Sequence, residues 1–118
     1  MTSDAIWTEI LLEAERDAVR EPILSGFLHD AILRQPSLET ALAGLLAAKL
    51  DGPVMSAIPL RDLILGAIQC DPEIGVAVRA DLQAVMKRDP ACRGYSQPLL
   101  YFKGFQAIQA YRVAHFYW

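Results

Sequence analysis

Side chains able to move protons or attack carbonyls are few in this chain, and their spacing does not assemble them. The two histidines, His29 and His115, stand 86 positions apart. No HExxH, GxSxG, P-loop or GxGxxG run supplies a metal pair, a nucleophile or a phosphate cradle. His115 follows Tyr111 and Arg112 at helical spacing and could act as a base or a ligand, but a packing or interface role fits it better. His29 beside Asp30 reads the same way, with a metal site weaker still. Cys92 has Arg93 next to it, and a nearby cation favours thiolate. With no base in view it reads as an ordinary loop cysteine.

Asp89 is the residue with two readings. It lies between Arg88 and Pro90, after a helical stretch and before a loop holding Cys92, Gly94 and Tyr95. A carboxylate there can cap the following turn. Held at a rigid turn, it can also receive an ammonium group through a charge-assisted hydrogen bond and so orient an amino-acid substrate. On pattern alone the cap is favoured.

The elements that would position Asp89 are helices. Ile6, Ile10, Leu11 and Ala14 recur at helical spacing, with Ser3 or Asp4 as N-cap. Pro22 restarts a second helix that runs through Phe27, Leu28, Ile32 and Leu33 and ends near Gln35, before Pro36. Ser37 caps a third, with a leucine stripe at Leu38, Leu42, Leu45, Leu46 and Leu50, stopped by Asp51-Gly52-Pro53. Pro59 opens a fourth. Asp71, Pro72 and Glu73 supply the cap, first-turn proline and acidic first turn of a fifth, whose core face is Ile74, Ala77, Val78, Leu82 and Val85. After a loop over residues 91–97, Pro98 begins a run predicted to continue unbroken to Trp118. No segment alternates with period two, so the expectation is an all-α domain of about six helices spanning residues 1–118.

The stretch from Tyr95 to Trp118 holds eight of the ten aromatics and no acid. Phe102, Phe105, Ile108 and Tyr111 spread apolar bulk around it, and Gly104, Ala107, Ala110 and Ala114 form a small-residue stripe. A helix apolar nearly all round is expected to be buried nearly all round. It ends on His115-Phe116-Tyr117-Trp118 without a stop signal, which reads as a chain that has been cut.

Composition narrows the partners. The 118 residues carry a formal charge of −3, and no Lys/Arg block exceeds two residues, so there is no electrostatic footprint for nucleic acid. No stretch free of Asp, Glu, Lys and Arg exceeds nine residues, too short for a membrane span. An acidic N-terminus argues against a secretory signal, and two cysteines without CxxC spacing, Cys70 and Cys92, fit free thiols in the cytoplasm. The mean hydropathy of +0.24 is high for a soluble chain. Self-association through the leucine stripe and the first helix is therefore expected.

From Arg88 onward the run RDPACRGYSQPLLYFKGFQAIQAYRVAHFYW resembles the RDPA, YS-PLLY-KGF-A-QAYR and H-W/Y region of serine O-acetyltransferases. Ile6-Trp7, Glu13-Ala14-Glu15, Glu21-Pro22, Ala48-Lys49-Leu50 and Asp71-Pro72-Glu73 extend the likeness backward in the family's order. The resemblance implies the N-terminal helical domain of a cytoplasmic enzyme that transfers acetyl from acetyl-CoA to L-serine, the first step of cysteine synthesis from serine, under feedback by L-cysteine. It implies a hexamer built as a dimer of trimers, and a C-terminal tail, absent here, that engages O-acetylserine sulfhydrylase. The catalytic histidine and its aspartate belong to a downstream left-handed β-helix, also absent here. The 118 residues alone are therefore expected to be inactive, with no catalytic residue, no metal and no cofactor of their own. Only Asp89 carries over, as the holder of the substrate amino group. The competing class is a free-standing helical interaction module without chemistry.

Overall fold

Helix starts in this protein follow its capping side chains. The computed structural model describes residues 4–118, and the α-helices among them number seven. Helix α1 (Ala5–Arg20) begins at Asp4, whose carboxylate accepts the Trp7 N–H at 3.2 Å; Ser3, the alternative cap, lies outside the described residues. Helix α3 (Leu38–Leu50) opens with a capping box, Ser37 Oγ accepting the Thr40 N–H while Thr40 Oγ1 accepts the Ser37 N–H. Helix α5 (Pro72–Arg88) starts at Asp71, which accepts the Glu73 N–H, with Pro72 in the first turn.

Two expected starts and two expected paths differ. Helix α4 (Ala57–Cys70) begins two residues before Pro59, because a proline in the first turn lacks only an N–H that would have no intrahelical partner anyway. The segment from Pro22 is not one uniform helix. It winds as a 3₁₀ turn (Pro22–Leu24), a short α2 (Ser25–Leu28) and a π turn (His29–Leu33), closed by the Arg34 N–H on the His29 carbonyl at 2.8 Å.

The run after Pro98 is also broken, and it starts earlier. Helix α6 (Ser96–Tyr101) ends at Phe102, whose backbone is extended at φ −87°, ψ 106°, and α7 (Lys103–Tyr117) follows. The break frees carbonyls that a continuous helix would use. Gln106 Nε2 donates to two of them, Leu99 O at 3.0 Å and Leu100 O at 3.1 Å.

One apolar core joins the helices. Trp7, Ile10 and Ala14 of α1 meet Leu28 and Ile32, the inner faces of α3 and α4, Ile74, Val78 and Leu82 of α5, Leu99 of α6 and Phe105 and Val113 of α7. Of the predicted α5 face, Ala77 and Val85 are half-buried. The leucine stripe is not an outward face. Leu38, Leu42, Leu45 and Leu46 are buried, with α3 packed most extensively on α4, and only Leu50 at the helix end is exposed.

Helix α7 is likewise not buried all round. Its inward residues are Phe105, Gln106, Gln109 and Val113, while Ile108 and Tyr111 are 51% and 62% exposed. Two glutamines go inside because partners wait for them. Gln109 Nε2 donates to Asp81 Oδ2 at 2.8 Å, an oxygen shared with Arg112 Nη2 at 2.9 Å, so each amide enters the core with its Nε2 bonded, while Gln109 Oε1 and Arg112 Nε find no partner among the described residues. At the far end, the Tyr117 hydroxyl donates to the Leu63 carbonyl of α4.

An arginine fastens the N-terminal half to α5. Arg79 Nη1 and Nη2 donate to Glu39 at 2.8 and 3.1 Å, and Nε and Nη2 donate to Asp4. Hydrogen bonding from Arg79 holds the Asp4 carboxyl below its usual range, against a smaller opposing effect of burial. For Glu39 burial is the largest single influence and pushes upward. The Arg79 hydrogen bonds, a backbone N–H and the guanidinium charge together outweigh it, so its carboxyl also lies low.

Candidate functional site around Asp89

Helix α5 ends where its last turn turns basic, with Lys87 and Arg88 complementing the negative end of the helix dipole. Asp89 is the C-cap residue. Its N–H donates to Val85 O at 2.9 Å, its backbone is extended (φ −108°, ψ 102°), and Pro90 cannot continue the helix. The chain then folds back on the carboxylate. Ala91 N–H donates to Asp89 Oδ1 at 2.9 Å, and Cys92 N–H to Asp89 O at 3.0 Å. The capping role read from the sequence is therefore present, and it occupies only one carboxylate oxygen. Among the described residues no protein donor reaches Oδ2.

Asp89 stands at the rim of a groove of about 480 Å³ between α5 and α7. Val85, Phe102, Phe105 and Ile108 give it an apolar wall, and Asp81 and Asp89 are its acids. Phe102, at the break between α6 and α7, is part of the lining of this space. A carboxylate with one oxygen fixed and the other open, beside an apolar wall, suits a small cationic group carried on a compact body.

The loop after Asp89 is held from inside. Cys92 is buried, its thiol donating to Gly94 O at 3.3 Å and lying 3.6 Å from Met86 Sδ, so the loop cysteine read from the sequence packs inward. Cys70 is exposed, and both thiols are free. At the end of the loop Glu13 of α1 accepts the Tyr95 N–H at 3.2 Å and the Ser96 N–H at 2.8 Å. In the sequence Glu13 stands out only within the Glu13-Ala14-Glu15 likeness, and nothing there connects it to the loop. The only local signal was Gly94, and a glycine in a loop has many explanations.

The histidines stay apart from this arrangement. His29 is half-buried at the start of the π turn, its Nδ1 2.8 Å from the Ser25 carbonyl. A carbonyl can only accept, so Nδ1 carries the proton. His115 is exposed and stacks on Tyr111 with ring centres 6.0 Å apart. It lines a separate groove of about 330 Å³ with Asp71, Glu73 and Arg112. Among the described residues no three His, Cys, Asp or Glu side chains converge as a metal site would require.

Comparison with known proteins gives a consistent relationship. The family model described as "Serine acetyltransferase, N-terminal" matches residues 6–110. A probable serine acetyltransferase 4 of Oryza sativa subsp. japonica is 51% identical over 120 residues, covering 99% of this chain and 38% of that protein. The crystal structure of Neisseria gonorrhoeae serine acetyltransferase in complex with serine superposes with a TM-score of 0.93 at 44% identity, over 98% of this chain and 48% of that one. A serine acetyltransferase solved in complex with cysteine gives 0.93 at 48% identity, over 96% of this chain and 47% of that one. The chain thus spans less than half the length of these relatives. Through the family match, the identity across nearly all its residues and the shared helical architecture, the chain belongs to the serine acetyltransferase N-terminal family.

Proposed function

We propose that this chain is the N-terminal domain of a serine O-acetyltransferase and that Asp89 receives the α-ammonium group of L-serine. The observation that carries the reading is the half-used carboxylate: Oδ1 is fixed by the Ala91 N–H, and Oδ2 faces no protein donor among the described residues, at the rim of a groove. Serine and cysteine share the ammonium and carboxylate and differ in one atom, oxygen or sulfur. A grip on the ammonium would therefore serve substrate and feedback inhibitor alike, in keeping with relatives solved with each.

In the intact enzyme a histidine from the downstream half would take the serine hydroxyl proton. The resulting alkoxide would attack the acetyl-CoA thioester, donors of that half would hold the oxyanion, and collapse would break the C–S bond, the departing CoA thiolate taking the proton from the histidine. The 118 residues contribute orientation, not proton transfer. Acetyl-CoA and the docking of O-acetylserine sulfhydrylase belong to the downstream part. Assembly of two trimers into a hexamer is the second role of this domain. Val19, Ile23 and Phe27, on α1 and the following turns, remain exposed to supply apolar contact for it. Among the described residues no helix is long and apolar enough to cross a membrane, and the free thiols Cys70 and Cys92 support a cytoplasmic location.

A coupled assay of thiol release from acetyl-CoA with L-serine tests this on the 118-residue chain and on the full-length protein. Activity in the longer chain alone, with the serine KM raised far more than the acetyl-CoA KM by Asp89→Ala, is the expected result. Activity in neither would favour a helical interaction module, and equal effects on both substrates would reduce Asp89 to a cap.

A further inference from the structure

We propose that Glu13 of α1 is a positioning residue for Asp89, holding the loop from Asp89 to Ser96 at one depth beside the groove. The proposal rests on the serine-site reading above. One end of the loop is fixed by α5, through the Asp89 N–H on Val85 and the Ala91 N–H on Asp89 Oδ1. The other end is fixed by Glu13, whose two oxygens accept the Ser96 N–H at 2.8 Å and the Tyr95 N–H at 3.2 Å. Ser96 is buried, so its N–H has little access to water as a substitute partner, and losing Glu13 would leave it unpaired.

The fit is also steric. A Cβ on Gly94 would lie 2.4–2.6 Å from the Glu13 carboxylate atoms, so loop and side chain are matched in shape as well as in hydrogen bonding. Arg16, Arg20 and Arg93 line the same small recess with Glu13 and Asp17, which favours negative charge at that point. Glu13 is not among the residues that line the groove, and its hydrogen bonds go to Tyr95 and Ser96, not to Asp89. Its effect on substrate must pass through the loop.

The test is steady-state kinetics of the full-length enzyme with Glu13→Ala, Glu13→Gln, Gly94→Ala, Asp89→Ala and the Glu13→Ala/Asp89→Ala double variant, with thermal unfolding of each. Displacement of Asp89 by a fraction of an ångström is expected to raise the serine KM about tenfold in Glu13→Ala, with the acetyl-CoA KM within about twofold. Glu13→Gln, which keeps one acceptor, should fall between. The double variant should raise the serine KM no further than Asp89→Ala alone, because one residue acts through the other. Should Glu13→Ala fail to fold, Gly94→Ala reaches the same contact from the loop side, and the same selective rise in serine KM is expected.

Wild-type serine KM in folded Glu13→Ala and Gly94→Ala, or additive effects in the double variant, overturns the positioning role while leaving Asp89 as the ammonium site. A serine KM unmoved by Asp89→Ala overturns both.

Discussion

Arg79 and Glu39 face each other as a two-point pair across α5 and α3, Nη1 to Oε2 at 2.8 Å and Nη2 to Oε1 at 3.1 Å. The same guanidinium engages Asp4, so one cation holds the first turns of two helices. Both carboxyls are held low in the folded state, so the unfolded chain binds more protons in the acid range. Their contribution is complete above the ordinary carboxylate pKa of about 4 and is lost as pH falls below it. Arg79→Met is expected to destabilise the neutral protein by about 2 kcal/mol and to flatten the acid dependence. Chemical denaturation from pH 7 to pH 3 checks both, and an unchanged acid slope would remove Arg79 as its source.

The helix break at Phe102 makes Gln106 a structural residue. Gln106→Ala leaves the Leu99 and Leu100 carbonyls without their side-chain partner, at an expected cost of about 2 kcal/mol. Hydrogen exchange should rise first in α6 and the start of α7. A variant as stable as the parent would mean that water replaces the amide.

The inward leucine stripe sets a contrast within one helix. Leu42, 1% exposed, should cost about 3 kcal/mol as Leu42→Ala. Leu50, 54% exposed, should cost less than about 0.5 kcal/mol as Leu50→Ala. Paired thermal melts decide it. Similar costs at the two positions would mean that Leu50 is covered in the assembled protein.

Asp89→Asn separates the cap from the proposed ammonium site. Asparagine caps about as well as aspartate, so the melting temperature should stay within about 2 °C. The serine KM of the full-length enzyme should still rise, since a neutral amide grips an ammonium less strongly. An equal loss of stability and serine affinity would tie the kinetic effect to the turn itself.

What could be read from the amino acids was local. Asp4, Ser37 and Asp71 start helices because a cap bonds a backbone N–H two or three residues ahead, and Asp89 ends one because Pro90 follows it. The resemblance drew attention to Asp89, and the structure adds the detail that only Oδ1 is consumed. What could not be read depended on distant partners. Glu13 reaches the N–H groups of Tyr95 and Ser96, Gln109 goes inside because Asp81 awaits it, and Arg79 selects Asp4 and Glu39 from α1 and α3. The leucine stripe misled for the same reason, since periodicity shows that a face is apolar but not which surface covers it.

The Glu13 contacts also bear on the order of events during synthesis. They join residues 82 and 83 positions apart, and Arg79 joins Asp4 across 75. Helix α1 therefore leaves the ribosome well before the partners of its polar fastenings. At about 5–20 residues per second its carboxylates wait roughly 4–16 s for their partners. Through that interval Trp7, Ile10 and Ala14 lack the cover of α6, which packs on α1 in the folded protein, and this makes α1 a natural point of contact for a chaperone.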